Sequence, residues 1–269
     1  MKKLLNIIIN AILVLIPFFP ILENFFPNQV DNSTFGSYLL HCLGICVVML
    51  ILMLIATRDF VSSFFNLKLT AILLFILGMI VMIPLHLGPP RSDESLIASS
   101  YIEKTRYALL IIAVVVVYVA VFLFLKKYWA QLNTIEKLII IPLIAGLPFL
   151  LWDNYDSFMF TEKLTEWKNS GKDSKDFFLQ YVVIYENWRA AGRILLYLST
   201  IWFAIILMHH SFIKKWKGIV ITIFSIIGVL FCFGFLFVSS DLYFPFMVPA
   251  IVMAPLYWLG LSILNEKED

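Results

Sequence analysis

Four histidines lie at the ends of long apolar stretches: His41, His86, His209 and His210. His41 begins one apolar stretch and His86 ends the next, so both are expected at the same membrane face. Asp153 and Asp156 directly follow a later stretch that should end at that face. Two imidazoles and two carboxylates can hold a divalent metal or act as acid and base. These four residues form a candidate catalytic site; the alternative is that they are ordinary interfacial residues at helix ends.

A second candidate site follows from helical spacing. Glu186, Arg189 and Arg193 are three and four residues apart, which places them on one face of a helix. Arg193 lies a few residues inside an apolar stretch, where an unpaired charge is costly. This face is either an ion-pair ladder that anchors the helix end or a binding site for an anionic headgroup. Aromatic residues of the same segment extend the candidate binding surface: Tyr181, Tyr185 and Trp188.

The cysteines do not add a third site. Cys42, Cys46 and Cys232 all lie inside apolar stretches, and an odd number with none in a polar loop does not fit a disulfide framework. Cys42 and Cys46 are one helical turn apart, but a reactive thiolate needs an activating partner, and the adjacent His41 points to another side of the helix. Buried apolar cysteines are expected. The spacing of ligand-type residues identifies no metal and no cofactor.

The elements that position these residues are predicted by composition. The chain has 269 residues, of which 61% are hydrophobic and only 14% charged. Soluble domains are about half apolar and about a quarter charged, so lipid must be the solvent for most of this surface. About 20 apolar residues cross the hydrocarbon layer. Eight segments meet or approach this length, at about 4–22, 38–56, 69–88, 107–125, 138–152, 190–210, 218–238 and 244–264.

Basic residues predict the orientation of these segments. With the N-terminus in the cytoplasm, Lys and Arg fall in the short inner connections, whereas the outer loops after the first and seventh segments contain none. Both termini are therefore predicted to be cytoplasmic. The fifth segment is the weakest because it is short and contains Pro142 and Pro148; without it the later orientation inverts. Lys2 and Lys3 precede an apolar run without a small-residue cleavage pattern, which predicts an uncleaved first helix rather than a signal peptide.

The outer segment 153–189 is the one extramembrane piece with an internal pattern. A helix over 161–169 should be broken at 169–171, and Asp173 or Ser174 should cap a second helix. This second helix is either a separate interfacial helix or the outer extension of the sixth span. It is a packed lid or a platform for an amphiphile or partner. Its apolar face would contain Phe177, Phe178, Tyr181, Val182, Tyr185 and Trp188.

Together these patterns predict an all-α bundle of about eight transmembrane helices, formed as a single domain over 1–269. The near absence of charge within the spans and the scarcity of Gly argue against an ion-coupled transporter or channel. The main hypothesis is a multi-pass protein of the bacterial inner membrane, a permease-like transport or assembly subunit that engages a partner or amphiphilic cargo at the outer face. The alternative is a membrane enzyme acting on a lipid or lipid-linked substrate at the outer leaflet. Membrane lipids and another membrane protein are the predicted partners, and nucleic acid is not.

Overall fold

The computed structural model describes residues 2–18, 30–31, 33–56, 65–87, 95–238 and 248–266. Within these ranges, the side chains of residues 2–3, 18, 65–66, 139, 142–143, 180–186 and 249–250 are not described. All regular structure in the described ranges is helical, which confirms the predicted all-α class. Long apolar runs favour this outcome because a helix satisfies all its backbone hydrogen bonds within one segment.

Ten α-helices occur in the described ranges, and a short 3-10 turn at Ile16–Phe18 follows the first. Six are α1 (Lys2–Leu15), α2 (Phe35–Ala56), α3 (Phe65–His86), α4 (Ser95–Ala98), α5 (Ser100–Tyr128) and α6 (Thr134–Phe158). The other four are α7 (Phe160–Asn169), α8 (Ser174–His209), α9 (Lys215–Phe237) and α10 (Pro249–Leu264). Each of the eight predicted apolar segments corresponds to one helix, and the short helices α4 and α7 lie between them.

Several pairs of packed long helices run in opposite directions. Arg106, near the start of α5, donates to the carbonyl of Pro84 near the end of α3, while Thr70 at the other end of α3 donates to the carbonyl of Ala120. The same antiparallel packing joins α6 to α8, α8 to α9, and α3 to α10. The bundle therefore has two ends, which we call the Asp153 end and the His209 end after residues described below.

Helix α10 lies at the centre of the bundle. It packs against α3, α8 and α9, and its Tyr257 hydroxyl donates to the carbonyl of Leu13 on α1. A Cβ placed on Gly260 would lie 2.8 Å from the carbonyl oxygen of Ala71, so the close approach of α10 to α3 requires a glycine there. Except for the half-buried Trp258, every side chain from 251 to 264 is buried. A helix that is apolar on all sides is expected in such a position.

Helix α2 has the opposite surroundings. Leu40 and Leu54 are 71% and 63% exposed, and bulky apolar side chains on α1 and α9 are exposed in the same way. By length and apolar composition, five helices of the described chain can cross a membrane: Phe35–Ala56, Leu67–His86, Ser100–Tyr128, Asn187–His209 and Lys215–Phe237. Two apolar helices are shorter, Leu4–Leu15 and Ile251–Leu264. These are the features of a multi-pass membrane protein, and the exact number of eight spans with its orientation stays a prediction.

A small apolar cluster packs outside the main core at the Asp153 end. Leu96 on α4, Leu164 on α7 and Phe177 on α8 are buried against one another. Helix α7 ends at Asn169, and the Asp173 carboxylate caps α8 by accepting the backbone N–H of Lys175 at 2.9 Å. The predicted helix break and cap are therefore confirmed. The second helix is continuous with the apolar part of α8, which makes it an extension of the sixth apolar helix rather than a separate one.

Candidate functional site

A buried carboxylate between two arginines forms the strongest polar site at the Asp153 end. Arg193 Nη1 lies 2.6 Å from one oxygen of Asp153, and Arg189 Nε lies 2.6 Å from the other. Arg193 is only 1% exposed and Asp153 is 5% exposed. Charges removed from water to this extent are stable only when they are paired and hydrogen-bonded. We call these three residues the Asp153 cluster.

Two helices position the Asp153 cluster. Arg189 and Arg193 are one turn apart on α8, so both guanidinium groups can face Asp153 on α6. Gly192 lies between them, and a Cβ there would be 3.1 Å from the Cβ of Phe149 on α6, which is tighter than an ordinary contact. Arg189 also donates to the hydroxyl of Ser157 at 3.0 Å. The cluster therefore joins α6 to α8 at a point where their backbones approach closely.

Asn154 follows Asp153 in α6 and is fully buried. Neither its amide nitrogen nor its amide oxygen has a hydrogen-bond partner in the described part of the chain. A buried polar group without a partner costs about 1–3 kcal/mol, and native proteins usually satisfy it with protein, water or a ligand. Among the described residues of this end, Asn154 is a buried residue whose side-chain nitrogen and oxygen both lack a hydrogen-bond partner.

The two other predicted residues of this end, His41 and His86, lie together. Their ring centroids are 6.4 Å apart in an edge-to-face arrangement, and His86 Nδ1 is 3.1 Å from the carbonyl oxygen of Met82. Asp156 pairs instead with Lys163 on α7. Within the described chain, these histidines and the two aspartates do not form a group with three ligand atoms inside 4.8 Å. The structure thus brings the predicted residues to one end in three separate pairings: His41 with His86, Asp153 with two arginines, and Asp156 with Lys163.

The predicted binding surface on α8 is described only in part. Arg189 and Arg193 pair with Asp153, as above. Trp188 is 58% exposed and stacks on Phe149, with ring centroids 5.4 Å apart. The side chains of Glu186, Tyr181 and Tyr185 lie outside the described residues, so their part in this surface stays a prediction.

A buried ion pair near His86 was not predicted. Arg106 Nε lies 2.9 Å from Glu103, and its Nη1 donates to the carbonyl of Pro84 at 2.9 Å. Both side chains are buried, since Glu103 is 3% and Arg106 is 6% exposed. The predicted fourth apolar segment, 107–125, begins after both residues and places them in the preceding loop. The signal was their spacing of three, which is typical of a helical ion pair, and α5 in fact begins at Ser100.

A second unpredicted cluster lies at the His209 end of the bundle. His209 Nδ1 is 2.8 Å from Glu136 Oε1, and His210 Nε2 is 3.2 Å from the same oxygen. All three ligand-type atoms lie within 4.8 Å of one another. The His209 side chain is 66% exposed, whereas Glu136 and His210 retain 8% and 21%. We call these three residues the His209 cluster.

Helix ends position the His209 cluster. Asn133 and Glu136 form a capping box at the start of α6: the Asn133 side chain accepts the Glu136 N–H at 2.9 Å, and Glu136 Oε2 accepts the Asn133 N–H at 2.8 Å. Helix α8 ends in a Schellman motif in which Phe212 N–H donates to the carbonyl of Leu207 at 2.8 Å and Ser211, with φ 58°, takes the left-handed conformation. The sequence signal was the Asn-x-x-Glu pattern, 73 residues before His209.

Electrostatics keep the Glu136 carboxylate ionised. Burial raises its pKa, but hydrogen bonds from His209, from the Asn133 backbone and from His210, together with the charge of His210, outweigh burial, so the pKa is lowered from its ordinary value. Glu136 precedes the apolar stretch 138–152, so the cluster lies at the end of the helix. An anionic oxygen facing two imidazole nitrogens can exchange protons or bind a cation.

Comparison with known proteins gives no matching protein-family model, no matching curated protein and no matching solved structure.

Proposed function

We propose that the chain forms eight spans in the bacterial inner membrane, with both termini in the cytoplasm. The antiparallel packing of the long helices supports this topology, because a chain that crosses the membrane repeatedly must reverse its direction after each span. It places the Asp153 end outside and the His209 end in the cytoplasm. Lys126, Lys127 and Lys214 lie at the His209 end, as the positive-inside rule requires of a cytoplasmic face.

We further propose that the protein is a permease-like or assembly subunit that binds a partner or an amphiphilic cargo at its outer face. The observation that carries this function is the buried Asn154 amide, which has no partner within the described chain and adjoins the Asp153 cluster. The polar headgroup of an amphiphile can supply the missing donor and acceptor, while its apolar chain lies against the exposed apolar helices. The Asp153 cluster fixes α6 and α8 around this position.

Native mass spectrometry of the protein in a mild detergent tests this proposal directly. The wild type should retain a lipid or a protein partner in stoichiometric amount, and N154L should lose it because leucine fills a similar volume without hydrogen bonds. T222V is the matched control, since the Thr222 hydroxyl on α9 is also buried without a hydrogen-bond partner. Equal retention by the wild type and N154L, with unchanged melting temperature, would contradict the proposal.

A membrane enzyme acting on a lipid or lipid-linked substrate at the outer leaflet is the second candidate function. The contact between the His41 and His86 rings favours it, because two neighbouring imidazoles can divide the roles of acid and base. Incubation with membrane lipid extract should then give a product, seen by mass spectrometry, that the H41A/H86A double variant does not form. If wild type and double variant leave the extract equally unchanged, this candidate is excluded in favour of the first.

A further inference from the structure

We propose that the His209 cluster is a binding site for a divalent transition-metal ion, with Zn²⁺ as the reference ion. Its ligands are Nδ1 of His209, Nε2 of His210 and Oε1 of Glu136. The site lies at the opposite end of the bundle from Asn154, so it does not depend on the function proposed above.

The donor atoms have the chemistry and spacing that such an ion needs. Two imidazole nitrogens and one carboxylate oxygen form a common ligand set for zinc, with bonds of about 2.0–2.2 Å and ligand atoms therefore about 3.3 Å apart in a tetrahedral site. In the structure, Glu136 Oε1 is 2.8 Å from His209 Nδ1 and 3.2 Å from His210 Nε2. The third pair of ligand atoms, His209 Nδ1 and His210 Nε2, lies within 4.8 Å. The exposed His209 side chain has the freedom to move closer to the other two ligands.

Surrounding residues orient two of the three ligands before any ion binds. The Asn133 N–H holds Glu136 Oε2 at 2.8 Å, while Oε1 lies nearest to both imidazoles. His210 Nε2 is also 3.4 Å from Oε2. The His210 ring stacks on Phe212 with centroids 5.9 Å apart, and Phe212 in turn packs on Tyr128 at 4.8 Å. Partners of this kind fix ligand orientation in metal sites, and losing one typically weakens metal binding about 10–100-fold.

The dipole of α8 also favours a cation. His209 is the last residue of α8 and His210 is its C-cap, so the negative end of the dipole of this long helix lies beside the site. Two neighbouring ammonium groups are engaged elsewhere: Lys137 lies over the Trp129 ring at 5.2 Å, and Lys217 is 2.6 Å from Glu266. Three protein ligands leave a fourth position for water, and the exposure of His209 gives an ion access from the aqueous side.

Zinc titration of the full chain, purified in detergent without a polyhistidine tag and stripped with a chelator, tests the site. We expect one ion per chain in competition with a chromophoric chelator, and visible ligand-field bands typical of tetrahedral coordination when Co²⁺ replaces Zn²⁺. H209A and H210A should each weaken binding at least about 100-fold, since removing a ligand should exceed the loss from an orienting partner. Zinc should raise the melting temperature of the wild type but not of H209A.

Two further variants keep the test decisive. E136Q retains the capping box, in which glutamine substitutes for glutamate, but removes the anionic ligand, so it should lose zinc affinity with little change in melting temperature. E166Q removes an exposed carboxylate on α7, at the other end of the bundle, and should bind zinc like the wild type. H209A carries little risk of misfolding because its side chain is mostly exposed. Equal zinc affinity in wild type, H209A and E136Q would overturn the proposal and leave the cluster as a histidine–carboxylate hydrogen-bonded group.

Discussion

The two polar clusters of the bundle join the same pair of helices, α6 and α8, but at opposite ends and in opposite surroundings. In the Asp153 cluster each carboxylate oxygen has its own guanidinium partner, and Arg193 is 1% exposed. In the His209 cluster one carboxylate oxygen is shared by two imidazoles, and the His209 side chain is 66% exposed. The first cluster is fully paired within the chain, whereas the second retains access to water and to ions.

The Asp153 cluster therefore holds two helices together, whereas the His209 cluster can exchange ions with the surrounding water. Arginine stays charged at any accessible pH, so the Asp153 cluster cannot change its state without leaving a buried charge unpaired. Neutral imidazole nitrogens and carboxylate oxygens are metal ligands. Helices α6 and α8 are therefore joined by a buried ion pair at one end and by a partly exposed group of ligand-type atoms at the other. Four predictions, from the largest expected effect to the smallest, test this comparison.

Removing the buried carboxylate should have the largest effect. D153A leaves Arg193 buried without its partner, and breaking such a pair typically destabilises by about 3–5 kcal/mol. Denaturation in mixed SDS and mild-detergent micelles measures this loss. E166Q, which removes an exposed carboxylate on α7, should change stability by less than about 0.5 kcal/mol. The D153L/R193L double variant should regain part of the stability lost in D153A. Equal stability of D153A and wild type would show that the Asp153 cluster does not stabilise the bundle.

Loss of the Asn133 cap, which holds Glu136, should reduce stability by an intermediate amount. N133A removes the side chain that accepts the Glu136 N–H, which typically costs about 1 kcal/mol, whereas N133S keeps a capping oxygen and should be nearly neutral. The same denaturation assay measures both variants. If N133A and N133S are equally stable, the capping box does not contribute to the order of the His209 end.

Relieving the left-handed backbone conformation of Ser211, beside the histidines, should give a small gain in stability. Ser211 has φ 58°, a conformation in which glycine avoids the steric cost of a side chain. S211G should therefore stabilise the chain by up to about 1 kcal/mol in equilibrium denaturation, while S211A should not. A loss of stability in S211G would mean that the serine hydroxyl, rather than the backbone conformation, is important at this turn.

The pH dependence of the His209 cluster should be the smallest effect. Because the pKa of Glu136 is lowered in the fold, the stability it contributes is present above its ordinary value and is lost as pH falls through the folded value. The difference in melting temperature between wild type and E136Q, measured with chelator present, should therefore shrink as pH decreases below about 4.5. A difference that grows on acidification would contradict the assigned direction of the pKa shift.

The sequence was sufficient to predict the helices but not the pairings between them. Hydropathy is a property of a whole segment, and a long apolar segment in a membrane protein forms a helix. Each of the eight apolar segments therefore corresponds to a helix. The Asp173 cap was also predictable, because capping depends on residues two or three positions apart.

The contacts of the two clusters have no such local signature. Helical spacing indicated that Arg189 and Arg193 share a face, but the carboxylate that pairs with them is 36 residues away from Arg189 on another helix. Glu136 precedes the predicted segment 138–152, and nothing within α6 indicates that it meets His209. Periodicity describes neighbours on one helix, whereas the order of helices in the bundle decides which ends face each other.

The central position of α10 has a consequence for how the protein is made. During synthesis the helices emerge in chain order, and α10 follows all the other described helices while being enclosed by α1, α3, α8 and α9. Until α10 arrives, the inward faces of these helices have no partner, and their apolar surfaces are open to lipid or to a membrane chaperone. The bundle can close only when Gly260 reaches Ala71 and Leu74. The central core is therefore complete only when α10 has joined α1, α3, α8 and α9.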